Sequence, residues 1–408
     1  MNCRFCNTGL THVFVNLNEA PPSNSFLSKE DLQNAETWYP LKLFVCENCF
    51  LVQVAEYKKA AEIFSNDYVY YSSYSTTWLA HAKRYAEMMI ERFGYNSGSL
   101  VVEIASNDGY LLQYFNENKI PVLGIEPTLS TASVAREKGI ESITEFFGVG
   151  LAKELASNNR KADLLLGNNV LAHVPDLNDF ISGMKIILKP EGVITMEFPH
   201  LLQLVKHHQF DTIYQEHFSY LSFTTVQAVF KKHGLVLFDV EEISTHGGSL
   251  RIFAKHEDDI SKDISGNVSK LLEKEKAAGM TGLNYYTGFQ EKVETIKNDF
   301  LNFLKEQQVA GKKVVAYGAA AKGNTLLNFC GVKNDIISFV VDASPHKQGK
   351  YLPGSHIPVV NEQELLTSHP DFILVLPWNI KDEIMQQLSY VRDWNCRFVI
   401  AIPSLQIL

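Results

Sequence analysis

Two cysteine pairs, Cys3 with Cys6 and Cys46 with Cys49, specify the clearest chemistry in this chain. Each pair is a C-x-x-C, so two thiolates project from one tight knuckle. Two such knuckles close a four-sulfur tetrahedron around zinc. The 39 residues between Cys6 and Cys46 then become a loop stapled by the metal. Only Cys330 and Cys396 complete the six cysteines of 408 residues, which makes chance clustering a poor account. A redox dithiol would need one pair, at the start of a helix in a thioredoxin-like unit. Four sulfurs leave no position for water, so the expected zinc is a scaffold and not a catalyst.

A second constellation is Val101-Val102-Glu103-Ile104-Ala105-Ser106-Asn107-Asp108-Gly109, an apolar run ending in small and acidic residues. Ligands of open α/β sheets bind outside the carboxyl ends of strands, so this turn is an expected mouth. A dinucleotide site would want G-x-G-x-x-G and a helix N-terminus open to pyrophosphate. Here Glu103 and Asp108 repel phosphate and attract a cation. Glu126, 23 residues after Glu103, ends the next apolar run, where an acid can take both hydroxyls of a ribose. An ordinary strand end with solvated acids is the competing reading. Asn168 and Asn169 end a third apolar run in Gly167-Asn168-Asn169-Val170-Leu171-Ala172-His173, where His173 reads equally as a packing or cap histidine. In Tyr214-Gln215-Glu216-His217-Phe218-Ser219-Tyr220, Glu216 and His217 form an acid–imidazole pair suited to proton transfer, because histidine titrates near neutral pH. A surface dipeptide would look the same.

The elements that must position these groups divide into three parts. Residues 1 to about 65 read as short β pieces (12–17, 41–45, 50–55) around the knuckles, with a loop at Pro21 and Pro22. A helix is expected over 77–93. Strands at 100–105, 122–126, 163–167 and 192–198, with helices from Gly109 and over 130–138, give the grammar of a parallel doubly wound sheet. Strands at 235–243 and 249–255 would close it. A charged helix pair over 258–307 leads to a second α/β unit, with strands at 313–317, 337–341 and 372–376 and a helix at 323–329. The fold expected is therefore α/β: a zinc-binding module (1–75), a central Rossmann-like domain (76–256), a helical connector (257–307) and a C-terminal Rossmann-like domain (308–408).

The chain is 46% hydrophobic, 11% aromatic and carries a net charge of −9. Those values suit a globular protein and disfavour broad electrostatic capture of nucleic acid or anionic lipid. No apolar run approaches the roughly 20 residues that cross a bilayer. Thiol ligands that must stay reduced, with no leader pattern at the first residues, point to the cytoplasm. Three parts able to bury their own faces allow a monomer.

The order of motifs resembles the three-domain C-methyltransferases that use S-adenosylmethionine to methylate carbon 3 of nucleotide-linked 4-keto-6-deoxysugars. The resemblance rests on the two C-x-x-C pairs, Tyr68-Val69-Tyr70-Tyr71-Ser72-Ser73, Glu103 to Gly109, Asn168 to Val174, Tyr214 to Tyr220, His246-Gly247-Gly248-Ser249-Leu250-Arg251, and Tyr317 to Thr325. It covers nearly the whole chain. It implies His217 as the base that forms an enolate, with Glu216 and Tyr214 beside it, His173 and Tyr70 in the same cavity, and Ser73 on the sugar. It further implies that Glu103, Ser106, Asn107, Asp108, Gly109, Glu126, Asn168 and Asn169 hold the methyl donor.

The C-terminal turn Tyr317-Gly318 followed by Lys322-Gly323-Asn324 is a place where backbone N–H groups and a lysine can take a diphosphate, with Asp342 for a ribose or base hydroxyl. Arg251 suits paired oxygen acceptors, or a structural ion pair. Two rivals stand beside this reading. An NAD(P)-dependent oxidoreductase of nucleotide sugars lacks its glycine fingerprint, and a zinc-knuckle RNA binder lacks a basic, aromatic-interleaved face.

Overall fold

The computed structural model describes residues 1–57, 59, 62 and 71–408. The N-terminal strands β1 (His12–Ala20), β2 (Tyr39–Val45) and β3 (Val52–Val54) form an antiparallel meander whose alternating apolar positions face inward. The helix Thr76–Phe93 follows. Ser75 caps it by accepting from the Trp78 N–H, and Gly94 ends it at φ 70°.

The central unit opens with β4 (Val101–Ile104), β5 (Val122–Ile125), β6 (Ser142–Ile143), β7 (Ala162–Asn168) and β8 (Leu188–Pro199), all parallel. They are buried on both faces, as near-continuous apolar runs require. The helix expected from Gly109 begins only at Leu112, because Gly109 sits at φ 74° inside a turn. The two-residue strand β9 (Ser219–Tyr220) belongs elsewhere: it pairs with β3, so the segment after His217 becomes an edge of the N-terminal sheet, in order β1-β2-β3-β9. Strands β10 (Leu235–Ile243) and β11 (Ser249–His256) complete the central sheet by antiparallel pairing. Its order is β10-β11-β8-β7-β4-β5-β6. The order reverses between β4 and β7, and a crevice opens above their carboxyl ends.

Helices Gly266–Ala278 and Phe289–Val309 form the connector. The C-terminal unit carries β12 (Val314–Tyr317), β13 (Val340–Val341), β14 (Val359–Val360), β15 (Phe372–Val375), β16 (Arg397–Ile400) and β17 (Gln406–Ile407), in sheet order β14-β13-β12-β15-β16-β17. The strand expected at 337–341 is only its last two residues, since Ile337 closes a turn onto the Lys333 carbonyl.

The three parts share cores. Phe14 of β1 stacks on Phe289 of the connector at 4.7 Å, and one continuous apolar cluster runs from β1 and β2 through Phe300 to β12 and Leu326. A second joins Cys3, Phe5 and Cys46 to the central sheet. Among the described residues no helix is long and apolar enough to cross a membrane.

Candidate active site

The cysteine knuckles are copies of one another. In each, the N–H of the first cysteine donates to the carbonyl five residues on, and the N–H four residues on donates back to that cysteine (Cys3/Thr8 and Asn7/Cys3; Cys46/Leu51 and Phe50/Cys46). Asn7 and Phe50, at φ 62° and 59°, hold the two turns in the left-handed region. The sulfurs of Cys3 and Cys49 stand 3.6 Å apart, Cys6 and Cys46 3.4 Å, Cys6 and Cys49 3.6 Å. All four lie within 4.8 Å of one another. Sulfurs 2.3 Å from a common zinc stand about 3.8 Å apart, so the four fit a tetrahedral ion and are too far apart for disulfides.

A cavity of about 380 Å³ opens above β4, β5 and β7. Its floor is the loop after β4, where Ala105, Asn107 and Gly109 take φ of 57°, 50° and 74°. Two non-glycine residues held there mark a backbone shaped for a ligand. Glu126 stitches this loop to the next: its two oxygens accept from the N–H groups of Asn107 and Thr128, each at 2.9 Å. Burial raises its pKa despite those bonds. Glu126 and Asn107 line the cavity, with Trp78 and Tyr110 beside them. Glu103 lies fully buried beneath the loop, and burial holds its carboxyl well above the usual carboxylate range, with the charges of Asp108 and Glu126 adding to the rise. Ser106, Asp108 and Gly109 also support the loop from outside the lining. Asp108 pairs with Lys138 at 3.5 Å and accepts from the Ser73 N–H. Ser73 is thereby turned to that ion pair, and its neighbour Ser72 lines the cavity instead, donating its N–H to the Asn107 side chain at 2.9 Å.

At the end of β7, the Asn168 amide is buried with neither its oxygen nor its nitrogen bonded, although it lines the cavity. Asn169, at φ 55°, donates to Nε2 of His246 at 3.0 Å. His217, which also lines the cavity, donates from Nδ1 to the Thr212 carbonyl at 3.1 Å. A carbonyl can only accept, so Nδ1 carries the proton and Nε2 the lone pair. Tyr214 lies against the imidazole with ring centroids 4.0 Å apart, and His173 meets it edge-on at 4.6 Å. Burial lowers the pKa of His217 well below its ordinary value, and the neighbouring His173, His246 and Lys322 push the same way. The ring is neutral at pH 7, a lower setting than the near-neutral one a free histidine suggests. Burial takes His173 and His246 to about 4.

Glu216 does not orient the imidazole through Nδ1, which the Thr212 carbonyl holds. Both oxygens of the carboxylate accept from Asn24 Nδ2, at 2.8 and 3.0 Å. Asn24 comes from the loop after Pro21 and Pro22, and it lines the cavity. Tyr70 lies outside the described residues.

The C-terminal unit contributes Ala320, Ala321, Lys322 and Lys347 to the lining. Lys322 donates to Asn379 at 2.7 Å and lies over the Trp378 ring at 4.5 Å. Trp378 donates to Asp211, whose carboxyl burial lifts to about 6. Gly323 packs against Leu376, where a Cβ would meet a side-chain carbon at 2.7 Å. Asn324 is turned inward to the Ser23 carbonyl at 2.6 Å. Asp342 accepts from the N–H groups of Ala319 and Ser344. Arg251 lies off the cavity, for a physical reason: its nitrogens pair with Glu197 at 2.6 Å and Glu241 at 2.7 Å, and Tyr85 lies under the guanidinium. Sequence reasoning did not single out Asn24, Trp78, Lys347 or Asp211. Only His246 had a visible signal, its place before two glycines.

Three family models match the chain in succession: a zinc binding domain over residues 3–64, a methyltransferase domain over 78–240, and the C-methyltransferase C-terminal domain over 244–403. The chain is 32% identical to the C-methyltransferase NovU of Streptomyces niveus over 406 residues, which span 100% of this chain and 96% of that one. Among solved structures, a protein of Pyrococcus horikoshii OT3 matches 46% of this chain and 94% of its own, at 15% identity and a TM-score of 0.38. The magnesium protoporphyrin IX methyltransferase of Synechocystis PCC 6803, solved with bound SAM, matches 43% and 78% at 14% identity and a TM-score of 0.33.

Proposed function

Because this chain belongs to the family of S-adenosylmethionine-dependent C-methyltransferases, we propose that it methylates carbon 3 of a nucleotide-linked 4-keto-6-deoxysugar through a base-generated enolate. The observation that carries this reading is the state of His217: a buried, neutral imidazole whose Nδ1 proton is committed to a carbonyl, on the wall of the cavity that Glu126 floors. A ketone acidifies the hydrogen on its neighbouring carbon, and a positioned base then contributes typically 10²–10⁴-fold. The enolate charge that forms beside His217 stabilises the imidazolium, which offsets the low resting basicity of a buried ring. Tyr214, against the imidazole, and His173 define where the sugar carbon can sit. When bound, S-adenosylmethionine supplies an electrophilic methyl group on a sulfonium.

At the donor end, Glu126 takes the ribose hydroxyls, the turn from Ala105 to Gly109 receives the rest of the nucleoside, and the unbonded Asn168 amide offers its NH2 as donor and its oxygen as acceptor. Glu103 lies beneath that turn and keeps its shape. At the sugar-nucleotide end, Lys322 and Lys347 put positive charge on the cavity lining, which a diphosphate needs. Asp342 shapes the turn that presents them.

The test is His217→Asn. Turnover should fall at least tenfold, and exchange of the carbon 3 hydrogen with heavy water should fall with it, while the dissociation constant for the methyl donor stays within twofold. Turnover near that of the parent protein would remove His217 as the base.

A further inference from the structure

Arg4 lies between the first two zinc ligands, and its side chain crosses from the zinc module into the central unit. Nη1 donates to the Pro175 carbonyl at 2.9 Å, and Nη2 donates to the Val54 carbonyl at 2.6 Å. The guanidinium carbon stands 5.3 Å from the centre of the Phe218 ring. The three partners come from distant stretches of the sequence. Val54 ends β3 of the zinc module, Pro175 closes the loop that carries His173, and Phe218 is the residue after His217.

The anchor at the other end is the metal knuckle. The Arg4 N–H donates to Gln53 Oε1 at 2.9 Å, and Gln53 Nε2 donates to the Cys3 sulfur at 3.2 Å. Asn178 Nδ2 donates to the carbonyls of Arg4 and Phe5 at 3.1 Å each, fixing the main chain between the ligands to the helix Leu177–Ile187. The Val54 N–H donates to the Phe218 carbonyl at 3.2 Å.

We propose that Arg4 is a positioning residue for methyl transfer, holding the His173 loop and the His217 segment in register from the zinc-stapled knuckle. The proposal rests on the reading of His217 as the base with His173 beside it. The two imidazoles meet at 4.6 Å, and Arg4 ties together the main chains that deliver them. A planar guanidinium with several fixed donors can hold two carbonyls and a ring face at once, whereas an ammonium is a single point. Misplacing a reacting group by about 1 Å costs on the order of 10²-fold in rate. This gives a scaffold metal a route to the chemistry that needs no coordination of substrate.

Arg4→Lys keeps the charge and the stem but cannot reach both carbonyls; Arg4→Gln removes the charge and the ring contact. Zinc per chain, the donor dissociation constant, kcat and KM for the sugar nucleotide, and carbon 3 hydrogen exchange are measured on both. The expected result is parental zinc content and donor binding, KM for the sugar within about twofold, and kcat lowered roughly tenfold in Arg4→Lys and about a hundredfold in Arg4→Gln, on the scale set by misplacement. Hydrogen exchange should fall in step with kcat. If Arg4→Gln loses zinc, Arg4→Lys decides. A kcat loss that only tracks lost zinc, or that added zinc restores, overturns the positioning role. Turnover lost in His217→Asn but untouched in both Arg4 variants overturns it alone; parental turnover in all three overturns the base assignment with it.

Discussion

In the central unit Glu126, just after β5, accepts from the N–H groups of Asn107 and Thr128; in the C-terminal unit Asp342, just after β13, accepts from those of Ala319 and Ser344, at 2.7 and 2.8 Å. The two stitches are the same: an acid ending the second strand takes one N–H from the turn after the first strand and one from two residues ahead. What differs is what the acid faces. In the central unit the acid lines a cavity, although the turn glycine is tightly packed: a Cβ on Gly109 would meet the Ile140 side chain at 2.4 Å. In the C-terminal unit Gly318 is packed as closely, a Cβ there meeting a Pro377 ring carbon at 2.4 Å. Asp342 there has Lys347 at 3.6 Å and lies off the cavity. A Rossmann-like turn is thus a backbone device that holds a loop, and the crevice above it decides whether a ligand follows. The second unit instead lends two lysines to the first unit's cavity.

Exchanging the acids breaks the comparison most directly. Glu126→Gln should weaken methyl-donor binding by roughly 10–100-fold, the value of charge-assisted bonds to a buried partner. Asp342→Asn should leave donor binding within twofold and cost about 1–2 kcal/mol of stability, because it breaks only an internal stitch. Isothermal titration and thermal melts read both. Equal losses of donor binding in the two variants would mean that the stitch itself, and not the cavity above it, governs binding.

A smaller effect separates the lysines. Lys322→Ala should raise KM for the sugar nucleotide about five- to tenfold, in the range of one typical net hydrogen bond, with kcat changed less. Steady-state kinetics check this, and an unchanged KM would confine the C-terminal unit to scaffolding.

The sequence made the local devices readable. Each cysteine knuckle needs only its own few residues, so the spacing specifies the zinc site without knowledge of the fold. The α/β grammar is equally legible, because buried parallel strands are continuous apolar runs. Contacts between distant segments are not. Nothing in Ser219-Tyr220 announces a strand of the N-terminal sheet, since two residues carry no periodicity and the partner is β3. Asn24 meets Glu216 across 192 positions, a contact set by the fold and by no motif. Arg251 stands next to a glycine-rich block, yet three-dimensional packing gives its guanidinium to Glu197 and Glu241. Adjacency in the chain also misleads for Glu216 and His217, which sit side by side while their side chains bond to Asn24 and to Thr212.

The smallest expected effect concerns pH, and it tests how the two units act together on His217. An imidazole of ordinary pKa near 6.5 would be about three-quarters protonated at pH 6, cutting activity roughly threefold relative to pH 7. Burial in the central cavity is the main cause that lowers His217, and Lys322, from the C-terminal unit, adds to it. The kcat/KM profile should therefore fall by less than that between pH 7 and 6, with its acid limb below that of an ordinary histidine. Removing a positive neighbour favours the imidazolium, so Lys322→Ala should move that limb to higher pH while leaving it below the ordinary histidine value, because burial remains. Stability follows the same sign: the folded chain holds His173, His217 and His246 neutral, so the unfolded chain binds more protons and stability falls as pH drops below about 6.5. Asp211, raised to about 6, works the other way and softens that loss. An acid limb in Lys322→Ala that coincides with the parental one would show that the C-terminal lysine does not reach the base electrostatically, and would leave the cavity of the central unit as the sole cause of its neutrality.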